Sequence, residues 1–325
     1  MKNLPNMYSN GDVRIHADKF PVVIEFTAPV KIEDFFQWYQ GSIEAVNSNL
    51  LTRGAVLFRG IKINTASDFE KLTNFINPTP FDYVDGNSPR TKLTSKVYTS
   101  TEYDSSLPIT LHNELSYASK WPSRLMFCCI VAAQAGGETP IADSREIFLN
   151  MDKRLIKEIE EKKIKYIRNL HGGRGLGPSW QSTFETNEMA DVERHCREND
   201  ISYQWTRGGG IKLIQLRDGI IQHSISGEKV WFNQIDQFHP LHLSAEIYES
   251  LLSIYRKEED LPTYVCFGDD TEITRDMIEE ITSTIRTLAV VSPWSEGDLL
   301  FLDNVLVCHG RRPYKGNRKI LVSMT

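Results

Sequence analysis

The sequence predicts a mainly β fold with added helices, on three observations. Beyond residue 203, short apolar runs recur between glycine turns, as strands joined by tight connections do. Arg124 to Ala133 is a nearly continuous apolar run bounded by polar and glycine residues, the pattern of a strand buried on both faces. Neither an internal repeat nor a low-complexity linker divides the 325 residues. One domain, 1–325, is therefore expected: a predominantly antiparallel β core with helices at its N-terminus and between strands. Residues 1–95 form its N-terminal helix and strand part, and 143–200 a helical and loop insert.

Taken in order, residues 20–29 hold an extended run, Phe20 to Phe26 being mostly apolar, and 32–50 show helical spacing through Ile32, Phe35, Phe36, Tyr39 and Ile43. Ala55–Phe58 is a short apolar strand. Ser67-Asp68-Phe69-Glu70 reads as a capping box opening a helix to about Ile76, which Asn77-Pro78 terminates. Residues 79–110, rich in Pro, Ser, Thr, Asp and Gly, read as loop with short strands. After the 124–133 strand, Gly136-Gly137 is a tight turn, and 144–163 is helical, with Leu155, Ile156 and Ile159 on one face. The glycine-rich stretch 171–180 is a lid candidate, and 183–199 a charged, exposed helix. Strands follow at 211–216, 219–225 and 230–234, and helices at 244–257 and 272–288. Leu288–Val291, Leu299–Leu302 and Lys319–Val322 close the chain as strands.

Composition narrows the function. A formal net charge of −6 and a pI near 5.8 argue against nucleic acid or an anionic membrane surface as the main partner. No apolar run approaches the roughly 18 residues of a membrane span, and the polar start Met1–Asn6 lacks a signal peptide's apolar segment. The expected location is cytoplasmic. Five cysteines without C-x-x-C spacing read as reduced thiols, and Cys128 and Cys129 as core residues.

The chemistry gathers at Leu111-His112-Asn113-Glu114-Leu115-Ser116-Tyr117. In an extended chain alternate side chains share a face, so His112 and Glu114 converge on one point, which suits a metal. The pair alone is unspecific: with eight histidines, chance supplies roughly one His-x-Asp/Glu, and His16-Ala17-Asp18 is such a decoy. His309, following a buried-looking strand and preceding a Gly/Pro turn, is the expected third ligand. Two histidines and one carboxylate leave three positions of an octahedral ion open, the set suited to non-haem Fe(II) oxygenases. A catalytic zinc of a hydrolase uses the same donors, so the triad alone leaves the metal open.

The remaining motifs carry a resemblance. Ser100-Thr101-Glu102-Tyr103, Leu111–Glu114, Gly136-Gly137-Glu138-Thr139, Trp231-Phe232-Asn233-Gln234, Gly297-Asp298 through His309-Gly310-Arg311, and Gly316-Asn317-Arg318-Lys319 match in identity, order and spacing. Over residues 50–325 the chain resembles the taurine dioxygenase-like superfamily of Fe(II)/2-oxoglutarate oxygenases, in the branch of clavaminate synthase and the syringomycin-type amino-acid hydroxylases. The resemblance implies a double-stranded β-helix (jelly-roll) core, iron(II) held by His112, Glu114 and His309, and 2-oxoglutarate and O2 as cosubstrates. It implies that Thr139 touches 2-oxoglutarate and that Arg318 pairs with its distal carboxylate, for which a planar guanidinium is suited. Arg311 and Arg312 are the other basic residues within reach. Glu102, Asn233, Gln234 and Arg311 are substrate candidates. The implied substrate is an amino acid, free or tethered to a carrier protein, hydroxylated at Cβ in natural-product assembly. Desaturation, cyclisation and epoxidation are alternatives on the same cofactors. So, from another class, is a non-catalytic binding protein that docks a carrier domain. Related halogenases carry a small residue in place of Glu114, so the carboxylate disfavours halogenation.

Overall fold

Helices and strands begin close to where the sequence signals them. The computed structural model describes residues 12–325 apart from 80, 82, 87–89, 95 and 102. Met1–Asn6 and the substrate candidate Glu102 lie outside the described residues. Strands β1 (Val13–His16) and β2 (Val22–Val30) lead into α1 (Ile32–Arg53), whose Ile32, Phe35, Tyr39 and Val46 are buried at helical spacing. Helix α1 ends at Gly54, where φ is 74° and a Cβ would stand 2.4 Å from Val307 Cγ2. Strand β3 (Ala55–Ile61) and helix α2 (Ala66–Ile76) follow. The capping box of α2 is Thr65 with Asp68, two residues before the expected Ser67 and Glu70. Thr65 is still extended and can turn its hydroxyl to the Asp68 N–H (3.1 Å), whereas Ser67 is already helical.

Past short β4 (Tyr98–Thr99) come β5 (Ile109–His112), β6 (Arg124–Val131), β7 (Ala135–Gly136) and β8 (Ile141–Asp143). The single helix expected over 144–163 is two, α3 (Ser144–Asn150) and α4 (Lys153–Lys162). The break arises because Asp152 caps α4, accepting from Arg154 N at 2.7 Å. Within the segment expected to hold only helix and loop lies β9 (Ile164–Leu170), followed by α5 (Trp180–Phe184) and α6 (Met189–Glu198). Strands β10 (Ser202–Trp205), β11 (Ile211–Arg217), β12 (Ile220–Gln222) and β13 (Lys229–Trp231) precede α7 (Ile235–Phe238), α8 (Ala245–Ile254), β14 (Thr263–Phe267) and α9 (Arg275–Leu288). Leu288–Val291 is not a strand: Val290 makes only an isolated bridge to Ile141. The chain closes with β15 (Leu299–Asp303), β16 (Val307–Arg311), β17 (Tyr314–Lys315) and β18 (Lys319–Met324).

A seven-stranded sheet, β1-β2-β3-β15-β6-β18-β4, and a three-stranded sheet, β5-β16-β8, are the two walls of the jelly roll. Every pairing of these strands is antiparallel except β2 with β3. Alternate residues of the large sheet serve two cores, which explains the unbroken apolar run of β6. Leu125, Phe127 and Cys129 join Leu300 and Leu302 in the barrel interior. Met126, Cys128, Leu299 and Phe301 instead pack under α1 and α2 with Phe35, Trp38, Phe58 and Phe69. A separate sheet of four strands, β10-β11-β9-β14, backs onto α5 and α6. The lid candidate 171–180 is tied to this sheet, with Trp180 Nε1 donating to Gly209 O at 3.0 Å. No described helix is long and apolar enough to cross a membrane.

Phe58 is fully buried, with its ring edge-on to Phe35 and Trp38 at 5.5 and 6.0 Å. Phe58→Ala is expected to lower unfolding stability by about 3–5 kcal/mol in a urea titration.

Candidate active site

Strand β5 stops at His112, and the chain then turns, with Ser116 N donating to Asn113 O at 3.2 Å and Leu115 in the left-handed region (φ 57°). Glu114 therefore meets His112 through a turn and not along an extended strand. His309 also departs from expectation: it lies inside β16, directly opposite His112 in the antiparallel register, where the rings are 4.6 Å apart. His309 Nε2 is 3.8 Å from Glu114 Oε2. Among the described residues, His112, Glu114 and His309 are the one group of three His, Cys, Asp or Glu whose ligand atoms lie within 4.8 Å of one another. His16 of the decoy stands apart on β1, 4.0 Å from Glu25.

Burial pushes both imidazoles down, His309 well below the usual histidine range, so each is neutral and offers a lone pair at neutral pH. His112 Nδ1 lies 2.9 Å from both Thr110 O and Gln237 Nε2, so the protein's contacts to this ring are made at Nδ1 and Nε2 is left to face a metal. Gln237 Nε2 donates to the same carbonyl at 3.0 Å. The main chain between the ligands is held from two sides. Asn304 accepts from Glu114 N through Oδ1 (2.8 Å) and donates to Glu114 O through Nδ2 (3.0 Å). Gln234 Nε2 donates to Asn113 O at 2.9 Å.

The carboxylate of Glu114 has two partners that sequence reasoning missed. Tyr83 donates its hydroxyl to Oε1 at 3.3 Å, and Arg90 donates from Nη2 to Oε2 at 2.5 Å. Both come from the polar loop 79–110, where no periodicity or motif marks them.

His112, His309, Thr139, Arg90, Arg311 and Arg318 line one cavity. It encloses about 30 Å³ in this conformation, a water molecule's worth. Arg318 is fixed by Nε to Gly137 O (2.8 Å) and Nη1 to Ser100 Oγ (3.2 Å). A Cβ on Gly137, whose φ is 74°, would stand 2.9 Å from Arg318 Cδ, so the turn needs glycine there. Burial, then the nearby Arg311, pulls the Arg318 guanidinium down to about 10, the mark of a cation short of an anion. Thr139 Oγ1 accepts from Trp294 Nε1 at 3.2 Å, which leaves its own proton to donate. A preset guanidinium and a hydroxyl beside three buried ligands fit a metal-chelating dicarboxylate.

The other sequence candidates are placed differently. Arg311 lines the cavity, but its guanidinium reaches the main-chain oxygens of Thr101, Tyr103, Asp104 and Leu107 at 2.6–3.5 Å, so it clamps that loop. Asn233 donates to Gly219 O (2.9 Å) and accepts from Ile235 N (3.2 Å). Neither Asn233 nor Gln234 lines the cavity, and Arg312 is exposed. Loop 171–180 contributes no lining residue.

Asn304→Ala strips the Glu114 main chain of both partners. It is expected to weaken Mn(II) binding about 10–100-fold and to lower stability by about 2–4 kcal/mol. Electron paramagnetic resonance titration and urea unfolding check this, and unchanged metal affinity contradicts it.

The chain is similar to known proteins over most of its length. The model of the family described as "Taurine catabolism dioxygenase TauD, TfdA family" matches residues 20–325. The dapdiamide synthesis protein DdaC of Enterobacter agglomerans is 33% identical over 303 residues, 93% of this chain and 90% of that one. A clavaminate synthase-like protein of Arabidopsis thaliana is 31% identical over 291 residues, 86% of this chain and 83% of its own. Among solved structures, asparagine oxygenase in complex with Fe(II), 2S,3S-3-hydroxyasparagine and succinate superposes with a TM-score of 0.53 at 11% identity, over 90% of this chain and 83% of that one. With a family model matched from residue 20 to the last and two relatives above 30% identity, the chain belongs to the TauD/TfdA family of dioxygenases.

Proposed function

We propose that this enzyme hydroxylates an unactivated C–H bond, at Cβ, of an amino acid or an amino-acid-derived small molecule. It is a non-haem Fe(II)- and 2-oxoglutarate-dependent dioxygenase by family. The observation that carries the reading is the buried cluster of two neutral imidazoles and one carboxylate, whose imidazoles share a cavity with Thr139 and Arg318. His112, Glu114 and His309 would hold iron on one face, the facial arrangement that leaves positions open for cosubstrates. Arg318 and Thr139 would orient 2-oxoglutarate, the guanidinium gripping its distal carboxylate and the hydroxyl donating to it. Bound iron(II), with 2-oxoglutarate and dioxygen, supplies the oxidising power that no protein side chain has. The chain's own part is positional: Asn304 and Gln234 hold the ligand turn, and the jelly-roll walls would keep hydrogen donors other than the substrate away from the metal position.

The amino-acid substrate class is supported by two names. One relative takes part in dapdiamide synthesis, and the superposed oxygenase holds a 3-hydroxylated asparagine beside succinate. Retention of Glu114 in the triad favours oxygen transfer over halogenation.

Protein supplied with Fe(II) and ascorbate is expected to convert 2-oxoglutarate to succinate when given its substrate. A mass-spectrometric screen of free amino acids and carrier-bound aminoacyl thioesters should return a product heavier by one oxygen. His112→Ala and Glu114→Ala should abolish both while leaving the fold intact by circular dichroism. Wild-type turnover by His112→Ala, or no coupling to any amino-acid-derived compound, overturns the assignment.

A further inference from the structure

We propose that Arg90 binds a carboxylate of the substrate, so that the enzyme acts on a free acid and not on an aminoacyl group whose carboxyl is tied up as a carrier thioester. This rests on the iron and 2-oxoglutarate reading above and names the substrate form it accepts.

The Arg90 side chain is 3% exposed and lines the cavity with His112 and His309. Among the described residues its one ion pair is through Nη2 to Glu114. Nε and Nη1 are buried with no hydrogen-bond partner among the described residues. Tyr83 covers one face of the guanidinium, its ring centre 4.8 Å from Cζ. Buried donors on a charged group are rarely left unmade in native proteins, because each costs its full desolvation. Two such donors on one cavity-lining cation point to an anionic ligand that the protein does not itself provide.

Charge balance gives the same answer. A divalent cation and Arg318 together cancel Glu114 and a doubly charged cosubstrate. Arg311 has the Asp104 carboxylate as its nearby counter-charge and donates to four main-chain carbonyls. Arg90 is then left over, since a Glu114 that ligates a metal no longer neutralises it. One negative charge close to the metal restores balance, and among amino acids the group that brings it is a carboxylate, whose two oxygens match the planar guanidinium fork. A thioester or an amide carries no charge and leaves the two donors idle. A Glu114-positioning role alone would employ Nη2 and give no reason for burying the other two nitrogens.

The test uses protein loaded with Mn(II) and 2-oxoglutarate under nitrogen, with acetate and acetamide as probes. Manganese broadens the methyl proton resonance of a small molecule held beside it. Acetate should be broadened in a saturable manner and acetamide should not. Arg90→Gln should weaken acetate binding about tenfold or more, while Mn(II) is bound at least as tightly as by wild type because its competitor for Glu114 is gone, 2-oxoglutarate affinity stays close to wild type, and Arg90→Lys retains part of the effect. Equal acetate broadening in Arg90→Gln and wild type overturns the proposal. So does a loss of Mn(II) affinity with acetate binding unchanged, which makes Arg90 a positioning residue for Glu114. For any amino acid the oxygenation screen returns, wild type should favour the free acid over its primary amide and its carrier thioester, and Arg90→Gln should lose that preference chiefly through KM. A thioester oxidised as well as the acid sinks the idea while leaving the oxygenase reading standing. Failure to find any amino-acid-derived substrate sinks that reading instead, and the acetate arm still decides the role of Arg90.

Discussion

The side-chain amide of Asn304 closing on the main chain of Glu114 is the contact on which the site depends. Asn304 sits in the turn between β15 and β16, where the chain passes from the seven-stranded sheet to the three-stranded one. Its amide meets Glu114 N–H and C=O together, as a neighbouring strand would, at the point where β5 has ended. A second Nδ2 bond reaches Pro122 O at 2.9 Å, and Asn304 O accepts from Asn113 Nδ2 at 2.6 Å. The neighbouring Asp303 stiffens the same turn by accepting from Val305 N and Leu306 N. One side chain thus ties the turn carrying Glu114 to the strand carrying His309. A ligand on a loop gains the precision of a ligand on a sheet.

A second tier holds the far side of the carboxylate. Arg168 of β9 is fully buried, paired with Asp85 Oδ1 and donating to Asp85 O at 3.1 Å, and Tyr117 donates to the same carbonyl at 2.9 Å. Asp85 is held in the left-handed region (φ 71°) between Tyr83 and Arg90, the residues that reach Glu114. The four-stranded sheet supplies no ligand, yet through Arg168 it fixes the loop that addresses one. This gives the 143–200 segment a buttressing part, whatever its loop 171–180 does. The buried ion pair is weak evidence of net stability, and its better-supported effect is to select one loop geometry.

How much of this was legible in the sequence follows from the range of each interaction. His112, Glu114, Thr139, His309 and Arg318 stand in an ordered series of motifs, and the structure gathers four of them around one cavity with Glu114 against the two histidines. Strands β6, β15 and β18 announce themselves because an apolar run needs no partner to be recognised. Tyr83, Arg90 and Asn304 left no such trace: their partners lie 31, 24 and 190 residues away, and a long-range hydrogen bond imposes no local period. Strand β9 was hidden for a related reason. Its Lys165, Arg168 and Asn169 alternate poorly, because Arg168 is buried with its charge matched by a distant aspartate. Asn233 and Gln234 stand in a motif that makes them substrate candidates, and in the structure their amides serve main-chain carbonyls of Gly219 and Asn113. Motif membership marks that a residue matters near a site and not which way it faces.

The three arginines of the cavity show how one residue type takes three parts according to what surrounds it. Arg311 spends both terminal nitrogens on carbonyl oxygens of one loop. Arg318 is aimed by Gly137 and Ser100 and short of an anion. Arg90 has its anion in Glu114, the very group a metal would claim. Metal and guanidinium therefore compete for one carboxylate, and a metal that wins leaves a buried cation beside a divalent ion. An anion bound there relieves both, so metal binding and anion binding must favour each other, and linkage makes the coupling equal in both directions. A site wired this way assembles its charges in alternating order, and the cation-rich cavity discriminates against neutral ligands before any shape is compared.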